Sequence, residues 1–334
     1  MHKSIYKVAL LGGIGFFLFL TIGSFLGLYC APRDLASFVK LEDHRLPLLD
    51  GNGYSWIASD KILSVKFVND VGRFFILNIS SGTWEDPPAN CKSIDIKKND
   101  VWSVSGDGKW IVINQEVKSN LCLISTDGEV IKTNVGRCEL LVRPFWMLGD
   151  EGLFDVSSKS ILYRWDGTQQ TRINSMFRPA LPIGFMTNNL FLTSTNVLLN
   201  QPETYPRTIT VEYWQLEGKL ELKRTKNISV FNENIVDGIT SPKGDKICWR
   251  CSREAKWPRA IIKSDFPYFT FEKYKVIDIY VSTVNGDGLS LLGSLVWGND
   301  FPSLHWTIDG SQVSFILKDD LYLLPVGIKS ELEK

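Results

Sequence analysis

Beyond residue 50 the chain states one phrase six times: an aromatic or apolar strand, a polar turn, a second apolar strand, then a third strand running into a Gly-containing turn. The second copy is the plainest. It reads Val101-Trp102-Ser103-Val104, then Gly106-Asp107-Gly108-Lys109, then Trp110-Ile111-Val112-Ile113, then Leu121-Cys122-Leu123-Ile124, closed by Asp127-Gly128. The anchoring residues Trp56, Trp102, Trp146, Phe185, Ile239 and Trp306 lie 46, 44, 39, 54 and 67 residues apart by subtraction. A period of ~40–50 residues made of short strands is the mark of a β-propeller. The expectation is therefore an all-β, six-bladed propeller over residues 45–328, with seven blades as the alternative and a β-sandwich as the runner-up architecture.

Turn chemistry supports the division into blades. Gly106-Asp107-Gly108, Lys243-Gly244-Asp245 and Asp309-Gly310 follow their anchors, and Asp, Asn and Gly tolerate the positive φ that tight hairpins need. Strands such as Phe74-Phe75-Ile76-Leu77 are apolar on both faces, as in a sheet covered on both sides. The last repeat lacks a clear fourth strand. Residues 45–49 are expected to supply it and so to remove two exposed sheet edges.

The phrase resembles the repeat of TolB-like propellers, relatives of the WD-repeat group, with consensus Trp-Ser-Pro-Asp-Gly-Lys before an apolar strand. The best matches run from Trp102 to Trp110, from Ile239 to Ile247 and from Leu304 to Ser311. The resemblance spans about residues 50–326. It implies a propeller engaged in protein–protein interaction at a cell envelope. It assigns no partner-contacting residue, because propellers carry many unrelated functions.

Lys plus Arg and Asp plus Glu balance at 37 each, so no overall field recruits nucleic acid. The basic run over residues 219–226 reads as a solvated hairpin face. Residues 8–29 hold no charge and are long enough to span a bilayer as a helix. Lys3 and Lys7 precede them, which keeps residues 1–7 as a cytoplasmic stub and places the propeller in a periplasm or extracellular space. An uncleaved anchor is favoured over a cleaved signal, whose apolar region is shorter. Lipid attachment at Cys30 is disfavoured, since small residues do not precede it. Residues 30–44 then form a tether, with a helical turn around 35–39, and residues 329–334 a tail.

Of six cysteines, Cys91, Cys122 and Cys138 fall in neighbouring repeats where one pair could bridge. Cys248 and Cys251 have the spacing of zinc and redox sites, but a second ligand pair is missing and strand alternation would point them to opposite faces. They are expected to be buried thiols. Asn285-Gly286-Asp287-Gly288 is read as a turn rather than a calcium loop. The three histidines, His2, His44 and His305, accompany no nucleophile motif, and His305 is expected to pack.

No catalytic, cofactor-binding or metal-binding residues are assigned. The leading reading is a membrane-tethered module that binds a protein or another ligand. The alternative is a carbohydrate-active hydrolase or lyase using acidic residues of the channel. Residues 253–271 read as an insertion between strands of the fifth repeat. They contain Trp257, Phe266, Tyr268, Phe269 and Phe271, which either form a partner surface or cover the edge of that blade.

Overall fold

The computed structural model describes residues 39–45 and, with gaps at several loops, 53–327. Residues 8–29, Cys30, Cys138, the segment 202–206 and Phe266 lie outside the described residues. Among those described, no helix is long and apolar enough to cross a membrane.

Strand β1 is Val39–Arg45. The first repeat contributes β2 (Tyr54–Ala58), β3 (Lys61–Val68), β4 (Val71–Asn78), β5 (Thr83–Glu85) and β6 (Ile96–Lys97). The second contributes β7 (Val101–Val104), β8 (Trp110–Gln115), β9 (Asn120–Ser125) and β10 (Ile131–Arg137). The third supplies β11 (Phe145–Trp146), β12 (Leu153–Val156), β13 (Leu162–Trp165) and β14 (Gln170–Arg172). The fourth supplies β15 (Leu181–Thr187), β16 (Leu190–Thr195), β17 (Thr208–Glu217) and β18 (Lys219–Ser229). The fifth has β19 (Asn234–Thr240), β20 (Lys246–Ile261), β21 (Tyr268–Thr283) and β22 (Ser290–Trp297). The last has β23 (His305–Trp306), β24 (Gln312–Leu317) and β25 (Asp320–Pro325). Every anchor residue of the sequence repeat falls on the first strand of its sheet.

The strands build an all-β propeller of antiparallel meanders. Among the described residues four-stranded blades number five, one fewer than expected, and the first repeat departs from the pattern with a five-stranded sheet. The reason is local. Both β5 and β6 pair with β4, at Ile76–Asn78 and at Val71 and Gly72 respectively, so this sheet's outer strand is broken in two around residues 86–95.

Among the described residues, apolar side chains on both faces of a sheet lead to cores that lie between sheets, as expected for radial stacking. Leu63, Phe74, Trp102 and Ile113 join the first sheet to the second. Ile183, Val211, Tyr213, Trp249 and Cys251 join the fourth to the fifth. Cys248, Ile279, Trp306 and Phe315 join the fifth to the last. Tyr54, Trp56, Leu77 and Leu323 join the last back to the first. At that final seam the Tyr54 hydroxyl and the Trp56 indole N–H both donate to Ser314 Oγ at 2.8 Å.

Ring closure differs in register from the expectation. The fourth strand of the last blade is β1, pairing antiparallel with β25 through Val39 with Leu323, Lys40 with Tyr322 and Arg45 with Asp320. Residues 45–49 were expected, but Pro47 has no N–H to donate to a ladder. Val39-Lys40-Leu41-Glu42 alternates apolar and polar, as a strand with one covered face does. The expected helical turn at 35–39 is thus overtaken at Val39 by strand pairing.

The TolB-like turns share one hydrogen-bond scheme. Ser105 Oγ donates to Asp107 (2.5 Å) and accepts from Trp110 N, while Ser105 N donates to Trp110 O. Ser241 repeats this with Asp245 (2.7 Å) and Lys246, and Thr307 with Asp309 (2.6 Å) and Gln312. Hydrogen bonds from Ser311 and Thr307 pull the Asp309 carboxyl down to about 2.

These turns gather at one end of the molecule. Gly106 abuts Pro242 and Gly310 abuts Ser241. Gly108 has φ +78°, and a Cβ there would lie 2.2 Å from the Ile57 carbonyl oxygen.

Two outcomes follow. Deleting residues 39–45 lowers the melting temperature by at least about 5 °C in calorimetry, because it bares β25 along its length. An unchanged melt rejects the closure. Replacing Gly108 with Ala costs more than about 1 kcal/mol in denaturant unfolding, since neither its φ nor its space suits a side chain.

Candidate functional site

The fifth blade is the most elaborated part of the fold. Its middle strands β20 and β21 are each 16 residues long and pair without interruption from Lys246 with Thr283 to Ile261 with Tyr268. The inner strand β19 ends its pairing at Asn234 with Ser252, and β22 ends at Trp297 with Lys275. Beyond these points β20 and β21 continue as a two-stranded ribbon with no flanking strand among the described residues. Residues 253–271 are therefore not an insertion between strands but an extension of the strands themselves.

The ribbon carries four of the five aromatic residues proposed from the sequence. Trp257 pairs with Glu272, Pro258 with Phe271, Ala260 with Phe269, and Ile261 with Tyr268. Alternation assigns positions 257 and 268 to one face and 269 and 271 to the other. The aromatic positions thus flank both faces of a protruding ribbon rather than forming a single patch.

At the foot of the ribbon lies a buried polar cluster that sequence reasoning missed. Glu233, just before β19, is almost fully buried, and Asp278 on β21 is fully so. The Tyr280 hydroxyl donates to Glu233 Oε1 at 2.6 Å. Arg253 Nε donates to Asp278 Oδ2 at 2.5 Å, and the Ser294 hydroxyl donates to Asp278 Oδ1. The register explains the gathering: Cys251 pairs with Asp278, and Asp278 with Ser294, so these residues line one row across the blade. Glu233 Oε2 and Arg253 Nη2 are buried without a hydrogen-bond partner among the described residues.

Burial pushes the Glu233 carboxyl up to about 7, opposed by the Tyr280 hydroxyl and reinforced by the neighbouring Asp278 carboxylate; Arg253 holds it back in part. Arg253 offsets the charge of Asp278, which otherwise would be costly to bury alone. The arrangement pins the point where β20 and β21 leave the blade.

The four described cysteines are buried. Cys248 and Cys251 are fully buried in the separate cores on either side of the fifth blade, so they do face opposite ways. Burial raises both thiols, which leaves little of the reactive thiolate. Cys91 and Cys122 are buried and neither is in a disulfide. Among the described residues no group of three or more His, Cys, Asp or Glu side chains could hold a metal. His305 packs at 4.3 Å, centroid to centroid, against Tyr54.

Asn285-Gly286-Asp287-Gly288 is a turn, with Gly286 N donating to Thr283 O. It receives the basic run of β18. Lys226 pairs with Asp287 at 2.5 Å, and Arg224 reaches Asn285 while lying 4.0 Å over the Tyr213 ring. The run is largely solvated, as expected, yet it also fastens the fourth blade to the fifth. On the first sheet, Ser64, Lys66, Phe75 and Trp84 line an open cavity of 180 Å³, with Trp84 partly exposed.

The fold and its turns define the class: a β-propeller of the kind seen in WD40 and TolB-like proteins. No protein-family profile matches the chain, and no curated protein matches it by sequence. Among solved structures it is similar to the RRP9 WD40 repeats, at 10% identity and TM-score 0.50, covering 88% of this chain and 98% of that one. It is also similar to a putative TolB from Agrobacterium tumefaciens, at 13% identity and TM-score 0.47, covering 83% and 90%. A third is the β-propeller domain of Cps50 (Swd1) from Myceliophteria thermophila, at 10% identity and TM-score 0.47, covering 83% and 97%. At these identities the likeness is one of fold alone.

The cluster generates a pH dependence. Because the folded Glu233 carboxyl is raised from 4.5 to about 7, its contribution is fully present below about 4.5 and is lost as pH rises through about 7. Glu233→Gln keeps an acceptor for Tyr280 and cannot ionise. The variant's melting temperature therefore stays flatter than the parent's between pH 4.5 and 8, with the variant ahead at the upper end. Parallel pH profiles contradict the assignment.

Proposed function

We propose that this chain is a membrane-tethered, extracytoplasmic propeller that binds a protein partner through the β20–β21 ribbon and catalyses no reaction. The observation that carries the reading is the ribbon itself. A two-stranded ribbon is marginally stable alone in water, yet this one runs on past both flanking strands and is rich in Trp, Phe and Tyr. Aromatic residues of that kind supply the anchoring contacts of protein interfaces. The buried cluster of Glu233, Asp278, Arg253 and Tyr280 supports the same reading, because it fixes the angle at which the ribbon leaves the blade.

Residues 8–29 supply the membrane anchor in this reading, with Lys3 and Lys7 on the cytoplasmic side and the tether beginning at residue 30.

The test uses a photoreactive amino acid placed at Phe271, or as a control at Leu222, which is exposed on β18. Irradiation of cells yields a discrete protein adduct from position 271 that is lost when Trp257 and Phe269 are changed to Ala. Equal adducts from both positions, or none from 271, sink the reading.

A further inference from the structure

We propose that the propeller turns the end bearing its first-strand turns toward the bilayer and holds the β20–β21 ribbon away from it, toward a soluble protein partner. This rests on the tether proposed above and adds the orientation that the tether imposes.

The argument is one of strand direction. The turns after β2, β7, β19 and β23 meet at one end, where Gly108 approaches Ile57, Gly106 approaches Pro242, and Gly310 approaches Ser241. Strand β24 starts from that end at Gln312, so β25, antiparallel to it, finishes there, with Pro325 opposite Gln312. Strand β1 is antiparallel to β25 and begins opposite Leu323. The chain therefore comes into the last blade from the turn end and leaves it, at Arg45, near the opposite end. In the fifth blade, β20 also starts at the turn end, with Ile247 opposite Thr240. It passes the start of β19 at Ser252 and only then becomes ribbon. The ribbon thus leaves the end opposite to the one at which β1 begins.

Magnitudes decide whether the tether could undo this. The nine residues 30–38 separate the apolar stretch from Val39 and reach at most ~32 Å when fully extended. The 16 residues of β20 rise about 50 Å from the turn end to the ribbon tip. A tether anchored at the turn end is too short to pass the full height of the molecule and bring the tip to the lipid. The aromatic ribbon is therefore not a membrane-inserting device; it is a projecting arm.

The experiment reconstitutes the full chain into phosphatidylcholine vesicles containing a headgroup-labelled acceptor lipid. A fluorescent amino acid is placed singly at Lys243, which is exposed in the turn after β19, or at Arg259 on the ribbon. Unchanged melting temperatures establish that both variants fold. The chain is expected to float with the vesicles, with energy transfer to the lipid at least about threefold weaker from 259 than from 243, as an offset of tens of ångströms requires. Flotation with equal or reversed transfer overturns the orientation while leaving the tether intact. Failure to float removes the tether, and this inference with it.

Discussion

The sheets whose side chains are described bury apolar residues on both faces, so none of them can fold against water alone. The described cores are seams between neighbouring sheets, so each such sheet depends on its neighbour being present. Trp249, Tyr213 and Phe315 are among the largest fully buried side chains, and each lies in such a seam. Stability is consequently a property of the assembled ring rather than of any blade. The seam that matters most is the last, where β1 completes the blade of β23 to β25 and Ser314 accepts hydrogen bonds from Tyr54 and Trp56 of the first repeat.

The turns repeat this economy on a smaller scale. One hydroxyl and one carboxylate close three separate hairpins in the same way, at Ser105 with Asp107, Ser241 with Asp245, and Thr307 with Asp309. Their convergence at one end gives the molecule two unlike faces. One is packed with short, internally bonded turns; the other carries the long ribbon. That polarity is what the described architecture offers to function.

Much of this was legible in the residues. The period placed all six anchors on first strands, and the Ser/Thr and Asp of the turn phrase did close hairpins. Legibility failed where pairing partners are far apart in the chain. The closing strand was read one segment late because Leu46 and the leucines beyond it are more apolar than Val39–Arg45, whereas alternation and available N–H groups decide pairing with β25. The ribbon was read as an insertion because Pro258 and several lysines interrupt its apolar pattern, although Pro is tolerated on a strand without a neighbour on that side. Glu233 and Asp278 stand 45 residues apart by subtraction, and nothing local to either announces that the sheet register will bring them together. The broken outer strand of the first sheet likewise depends on two short segments finding one edge of β4.

The closure between β1 and β25 joins residues 284 positions apart, from Val39 to Leu323. During synthesis β1 has no partner until residues 320–325 have been made. Through that interval its amide groups and the edge of every blade yet to be flanked stand open to pairing with other chains. Non-local pairing of this kind is slow. A chain made only as far as residue 320 is therefore an open circle with two adhesive rims, so the six residues of β25 decide between a sealed particle and a nucleus for aggregation.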